Sequence, residues 1–307
     1  MTGRITNMMI SRSVLSDLND ISTKLSKTQQ KMSSGKEISR PSDDPYGTSR
    51  ALTLSSDLAG VQQYQRNIGE ATAWQNITDA SLSKINDAVQ RVRELTVGAA
   101  NGSAGQSARE ADAQEIDQLI ETIKGEANAS YGGSYVFSGT ATDTKPYSLG
   151  TPVNDAYGGD SGTVAREIGP NVSVTVNVNI QNILGNGQGP PGDGKLLDTL
   201  RTISDNLRGG TTADGDALRG VDLKNLDANL DTLTQARATV GATTNRLTAA
   251  DSRLHQVEES TTQLLSNVQD ADMAKTLIDY SMQQNVYQAA LHAGANIIQQ
   301  SLLDYLS

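Results

Sequence analysis

The sequence predicts a mainly α protein with a β-rich insertion, an elongated helical bundle whose N- and C-terminal segments are coiled-coil helices and whose middle is a small β module. Three observations predict it. Apolar residues recur in alternating steps of three and four before Tyr131 and after Lys195, the spacing of one helix face. The stretch between is rich in Gly, Pro, Asn, Asp and Thr and holds one run of period two. Aromatics make up only 4% of 307 residues, with one Phe and one Trp, whereas thick globular cores draw on aromatic rings for buried area. Leu, Ile, Val and Ala are therefore expected along narrow seams.

In chain order, Val14, Leu18, Ile21, Leu25, Thr28 and Met32 predict a first helix that stops near Gly35. Pro41 bars the residue before it from helical geometry, and Asp44-Pro45 reads as a new start, with Asp44 as N-cap and Pro45 in the first helical position. Val61, Tyr64, Ile68, Ala71, Gln75, Thr78, Leu82, Ile85, Val89, Val92, Thr96 and Ala99 then keep the rhythm to the turn at Asn101-Gly102. A third helix, capped by Ser107, is expected to fold back through Ile116, Leu119, Ile123 and Ala127.

Tyr135, Val136 and Phe137 favour a strand, and Val172, Val174, Val176, Val178 and Ile180 predict another, half-buried. Helical signals return at Lys195 with Leu196, Leu197, Leu200, Ile203 and Leu207, ending at Gly209-Gly210. A last helix is expected from about Asp214, with Leu226, Leu233, Val240, Leu247, Leu254, Thr261 and Val268 seven apart and Leu223 and Leu230 beside them. Its seam continues through Ile278, Met282, Val286, Ala290, Ala293 and Ile297 to Leu302 and Leu303. With no proline from Leu223 to Leu303, an unbroken rod would reach about 120 Å.

A net charge of -10 and no basic block argue against nucleic acid, whose phosphates need clustered Lys and Arg. Neither a cleaved secretory signal after Met1-Thr2-Gly3-Arg4-Ile5-Thr6 nor a membrane-inserted segment is expected. Zero cysteines exclude disulfides, thiol catalysis and Cys-ligated metals. Gly189-Pro190-Pro191-Gly192-Asp193-Gly194-Lys195 has the spacing of a phosphate loop, but Leu196 replaces the required Ser or Thr and two prolines remove amide donors, so it reads as a linker. His255 and His292 are too few and too far apart for a metal site. The pairs Asp43-Asp44, Glu258-Glu259 and Asp270 with Asp272 read as caps and solvated faces. No enzyme, cofactor or metal is expected. Gln75, Thr78, Thr96, Arg237, Thr244, Thr261, Lys275 and Asn285 thin the seams, so each stripe buries little and would gain from neighbouring subunits.

Gln30-Lys31-Met32-Ser33-Ser34-Gly35-Lys36 followed by Arg40-Pro41-Ser42-Asp43-Asp44-Pro45 resembles the N-terminal signature of the bacterial flagellin superfamily, and the Pro-Ser-Asp-Asp-Pro form leans to its hook-associated junction branch. Tyr131 to Gly139 resembles the element after the family's second helix. Tyr157 to Val178, with Glu167-Ile168-Gly169-Pro170, resembles its β-rich middle, and Val268 to Ala274 continuing through Ile298 to Leu306 resembles its terminal helix. The four segments stand in family order over the whole chain, although the start departs from a bare Met-Arg-Ile.

The resemblance implies a flagellin-like structural subunit of the extracellular flagellum that joins hook to filament. It would be exported unfolded, by the type III apparatus and without signal cleavage, and form a homo-oligomeric ring or helical layer against another hook-associated protein and flagellin. By analogy it would use a flagellar export chaperone. A minor flagellin forming the filament is the alternative, and a nucleotide-binding enzyme using Lys195 a more distant one. Residues 1–40 and 265–307 are expected as a terminal coiled-coil domain, 41–130 and 195–264 as a helical rod, and 131–194 as the β-rich domain. Val14, Leu18, Ile21 and Leu25 are expected to pack on Ile278, Met282, Val286 and Ile297, with Leu303 in the same assembly seam. Gly35, Pro41, Asp43, Asp44 and Pro45 form the motif turn.

Overall fold

The computed structural model describes residues 7–100, 105–150, 155–186 and 192–306, of which 7, 8, 10, 11 and 296–306 are described as backbone only. The expected turn at Asn101-Gly102, the start Met1 to Thr6 and Gly189-Pro190-Pro191 lie outside the described residues. Two compact units emerge, Met1–Gly60 with Gln256–Ser307, and Val61–His255.

The first unit is built on α1 (Asn7–Ser34), the start of α2 (Pro45–Ala100), the end of α7 (Leu223–Gln269) and α8 (Met273–Leu306). α1 ends where Gly35 turns to φ 70°, its amide donating to the Lys31 carbonyl at 2.9 Å. α2 starts as expected: Asp44 Oδ1 accepts from the Gly47 amide at 3.0 Å, and Pro45 occupies the first helical position.

The second unit carries the core. Every expected α2 seam position from Val61 to Ala99 is buried except Tyr64, which packs half-buried against it. The polar members are accommodated locally: Thr78 and Thr96 donate back to the Trp74 and Val92 carbonyls, and Gln75 Nε2 donates to the Val176 carbonyl at 3.0 Å. α3 (Gln106–Ala127) runs antiparallel to α2, tied by Lys84 to Glu126 and Arg91 to Glu115. Its cap is Gly105, not Ser107. Extended Gly105 already accepts the first helical amides, and Gln106 Nε2 anchors the start by donating to the Arg208 carbonyl.

The middle is thinner in strands than its composition suggests. β1 (Ser130–Tyr131) and β2 (Ser134–Tyr135) form a hairpin over Gly132 and Gly133, both at positive φ as a primed turn requires. Val136 and Phe137, expected in that strand, instead leave it and are fully buried. β3 (Ala165–Gly169) pairs with β4 (Val172–Thr175), antiparallel with a bulge. The expected strand thus stops at Thr175 rather than reaching Ile180. Val174, Val176 and Ile180 are buried while Val172 is exposed at the turn. A single turn, α4 (Gln181–Leu184), follows.

α5 (Leu196–Gly209) buries all five expected apolar residues and closes on left-handed Gly210. α6 (Thr212–Ala217) opens with a Thr211–Asp214 capping box and passes through a π-turn at Leu218–Asp222 into α7. Arg219 Nε in that turn donates to the Ala100 carbonyl at 2.7 Å, satisfying an end carbonyl of α2. Leu226, Leu233, Val240, Leu247 and Leu254 are buried in this unit, with Leu223 and Leu230 half-buried.

The long rod is broken. After Gln269 the chain leaves helical geometry at Asp270–Asp272 and restarts as α8. Asp272 caps the restart, accepting from the Ala274 and Lys275 amides. The gap is held by the chain just past α1: Glu37 N donates to Gln269 O at 2.8 Å, and Ala271 N to Gly35 O at 2.9 Å, around an antiparallel Lys36–Asp270 bridge. These partners are over 200 residues apart, so the only local mark of the break is the Asp272 cap itself.

Candidate assembly surface

In the first unit α1 and α8 pack antiparallel. Thr28 Oγ1 donates to Gln283 Oε1 at 2.8 Å, and nearer the other end of the pair Gly294 faces Val14, whose Cγ1 lies 3.0 Å from where a Cβ on Gly294 would stand. On α1 the expected residues carry the contact face: Val14, Leu18, Ile21, Leu25 and Met32 are half-buried and Thr28 is buried.

On α8 the face is different from the one expected. Thr276, Tyr280, Gln283, Tyr287, Ala290 and Gly294, spaced four and three, are the less exposed positions. Ile278, Met282 and Val286 are 67%, 56% and 47% exposed. Ile297 and Leu303 lie in α8, with side chains outside the described residues. The less exposed face is mixed, two tyrosines with Thr276, Gln283 and the small Ala290 and Gly294, and only the seven-residue interval between Tyr280 and Tyr287 and the close approach at Gly294 mark it. At about 3.6 residues per turn, Met273, Leu277 and Leu291 fall on a further side of the helix, all at least 45% exposed. A helix apolar on several sides belongs inside a larger packing.

The motif turn is a set of backbone locks. Asp43 Oδ2 accepts from the Arg40 amide at 3.1 Å while Asp43 N donates to Arg40 O at 2.9 Å, and Lys27 of α1 stands 3.8 Å from Asp43. Gly35, Pro41, Asp43, Asp44 and Pro45 together turn α1 into α2. A Cβ at Gly47 would crowd this turn, standing 2.3 Å from Asp44 Oδ2 and 2.6 Å from Ile38 Cδ1.

The groups weighed for chemistry have structural work. Asp44 and Asp272 are caps, and Asp270 holds the bridge. Asp193 and Asp198 accept from amides of the glycine turn (Lys195 and Gly194), and Lys195 Nζ donates to the Asn182 carbonyl, so the groups a phosphate would use are occupied. His255 lies 3.5 Å from Asp251, and His292 is exposed on α8. Among the described residues no three His, Asp or Glu converge as metal ligands, and no helix is long and apolar enough to cross a membrane.

The chain's ends pair through α1 and α8, and α8 leaves apolar side chains exposed beyond that contact, which is the arrangement of an elongated helical structural protein. Residues 5–142 match the bacterial flagellin N-terminal helical region and residues 223–306 the bacterial flagellin C-terminal helical region, together well over half the chain. The chain belongs to the bacterial flagellin family. It is 26% identical to flagellar hook-associated protein 3 of Salmonella typhimurium over 302 residues, 94% of each chain. Against that of Escherichia coli it is 28% identical over 280 residues, 86% of this chain and 87% of the other. Flagellin of Bacillus subtilis is 26% identical over 99% of both. The fold is shared with a hook-associated protein structure from Vibrio parahaemolyticus, at TM-score 0.64 and 21% identity over 74% of this chain and all of that one. It is shared too with the flagellar junction protein FlgL of Legionella pneumophila, at TM-score 0.58 and 16% identity over 72% and 99%.

Proposed function

We propose that this protein is a non-enzymatic subunit of the bacterial flagellum that joins hook to filament. Copies assemble through α1 and α8 into a ring or helical layer, with another hook-associated protein on one side and flagellin on the other. The observation that carries the reading is the exposed row Ile278, Met282 and Val286 on a helix already paired with α1. At about 25 cal/mol per Å² of apolar area, covering these half-exposed side chains contributes about 1 kcal/mol each per subunit. Repetition around a closed layer multiplies this. Two relatives named hook-associated protein 3 matching most of the chain support the junction role. Export proceeds through the type III apparatus without signal cleavage, with a chaperone covering the exposed C-terminal helix.

The match to a filament flagellin over 99% of both chains favours a second reading, a minor flagellin. A deletion strain separates the two. Hooks without filaments, together with failure of the purified protein to elongate filament seeds, support the junction; long filaments grown from seeds support the flagellin.

A further inference from the structure

In the first unit a notch of about 120 Å³ opens between the motif turn and the first turns of α2. Ile38, Pro41, Ala51 and Leu52 give it an apolar lining, Gln269 at the end of α7 borders it, and Arg40 stands at its edge. Leu52 is 67% exposed, an apolar side chain left in solvent beside a hole. Arg40 holds Asp43 through its amide and carbonyl, and its guanidinium has no ion pair among the described residues. The outward flank of α8 carries a matching set. At about 100° per residue, Ile278, Met282, Val286 and Asp279 fall within about 100° of one another. Asp279 too has no ion pair among the described residues. Lys275 shares that flank, and the turn beside Arg40 also carries Glu37 and Asp43, so both signs find an opposite.

We propose, resting on the layered assembly above, that this notch receives Ile278 from α8 of a neighbouring copy, with Asp279 set against Arg40. Symmetry requires such a second surface. A patch that meets its own copy closes at a two-fold dimer, so in a ring or helical layer the α8 row must meet a different face of the next subunit. Size agrees. The notch holds about four waters at ~30 Å³ each, and an isoleucine side chain has four non-hydrogen atoms. Height agrees as well. The Lys36–Asp270 bridge ties the turn to the start of α8, and Ile278 lies six residues past Asp272, about 9 Å along the helix. Copies side by side in one layer therefore bring notch and side chain to nearly the same level. Leu15, 60% exposed on α1, is the competing surface. Its neighbour Val14 faces Gly294, which puts it about 24 Å along α8 beyond Ile278.

The chain has no cysteine, so introduced thiols report single contacts. Leu52→Cys and Ile278→Cys are co-expressed as separate full-length chains in a strain lacking the wild-type protein, and isolated flagella are treated with a short bismaleimide. A cross-linked dimer is expected from the pair and from neither variant alone. Both variants present in the flagella without that dimer overturn the proposal and leave the junction role standing, as does an Ile278→Cys link to itself or to Leu15→Cys. Absence of the wild-type chain from isolated flagella removes the assembly reading and the proposal with it. Charge exchange decides the matter without thiols. Arg40→Glu or Asp279→Arg alone sets like charges together and is expected to cut the chain recovered in flagella at least about tenfold, while the two combined in one chain restore it. Recovery indifferent to the single variants, or no restoration by the pair with circular dichroism unchanged, overturns the proposal.

Discussion

Lys124 Nζ lies 3.2 Å from Asp155 Oδ1 with neither side chain exposed, an ion pair sealed between α3 and the β-rich middle. Arg201 of α5 closes on the same carboxylate, its second contact at 2.8 Å, and Glu121 reaches Lys124 at 2.8 Å. Removing one partner of such a pair strands a buried charge. Asp155→Asn is expected to cost about 3 kcal/mol, read by urea unfolding followed through Trp74 emission. Lys124→Met is expected to cost less, because Arg201 still neutralises Asp155. Equal losses for both would show that Arg201 does not share the load.

The same carboxylate gives an acid sensitivity. Burial pushes the Asp155 carboxyl up, but the hydrogen bonds and charges of Arg201, and after them Lys124, outweigh it and hold it below the usual carboxylate range. A lowered folded value stabilises the protein above the unfolded pKa of about 3.9, and that stability drains away as pH falls through the folded value. Unfolding free energy of wild type is therefore expected to drop more steeply below about pH 4 than that of Asp155→Asn. Parallel pH profiles would contradict the assignment.

Gly47 and Gly241 are both helical, and their surroundings predict opposite responses to one methyl. At Gly47 the new Cβ collides with the Asp44 cap and Ile38, whereas at Gly241 nothing lies within 4 Å. Gly47→Ala is expected to cost about 2 kcal/mol through a displaced cap and overpacking. Gly241→Ala should gain about 0.5–1 kcal/mol from helix propensity. Hydrogen exchange at the Gly47 and Thr48 amides reads the first, thermal unfolding the second.

How far the fold could be read from sequence depended on whether the cause was local. The α2 seam, the Asp44-Pro45 start and the stops at Gly35 and Gly210 rest on spacing, caps and backbone freedom within a few residues, and all stand where expected. At the break at Asp270–Asp272 the sequence offers only the Asp272 cap, because Gly35 and Glu37 supply the other hydrogen bonds from the far end of the chain. The α8 contact face was misread for a related reason. Tyr280, Gln283 and Gly294 are chosen by fit to α1, while Ile278, Met282 and Val286 carry the stronger apolar pattern and face outward. A helix with two sets of partners writes two overlapping patterns, and apolarity alone picks out the wrong one for the contact within the chain.

That division of faces can be tested by mutating each separately. Ile278→Ser, Met282→Gln and Val286→Ser together change only exposed positions of α8, and substitutions of this kind usually move stability by no more than about 0.5 kcal/mol. The triple variant is expected to keep the monomer's helicity and unfolding midpoint while losing self-association in sedimentation and motility in vivo. Gly294→Leu should do the opposite first. Its side chain drives into Val14 and Leu18, 3.0 and 3.8 Å from the glycine's missing Cβ, so the α1–α8 pair itself opens and exchange protection falls along both helices in the isolated chain. If the triple variant instead unfolds the monomer, the outward row is holding this chain together rather than joining it to the next.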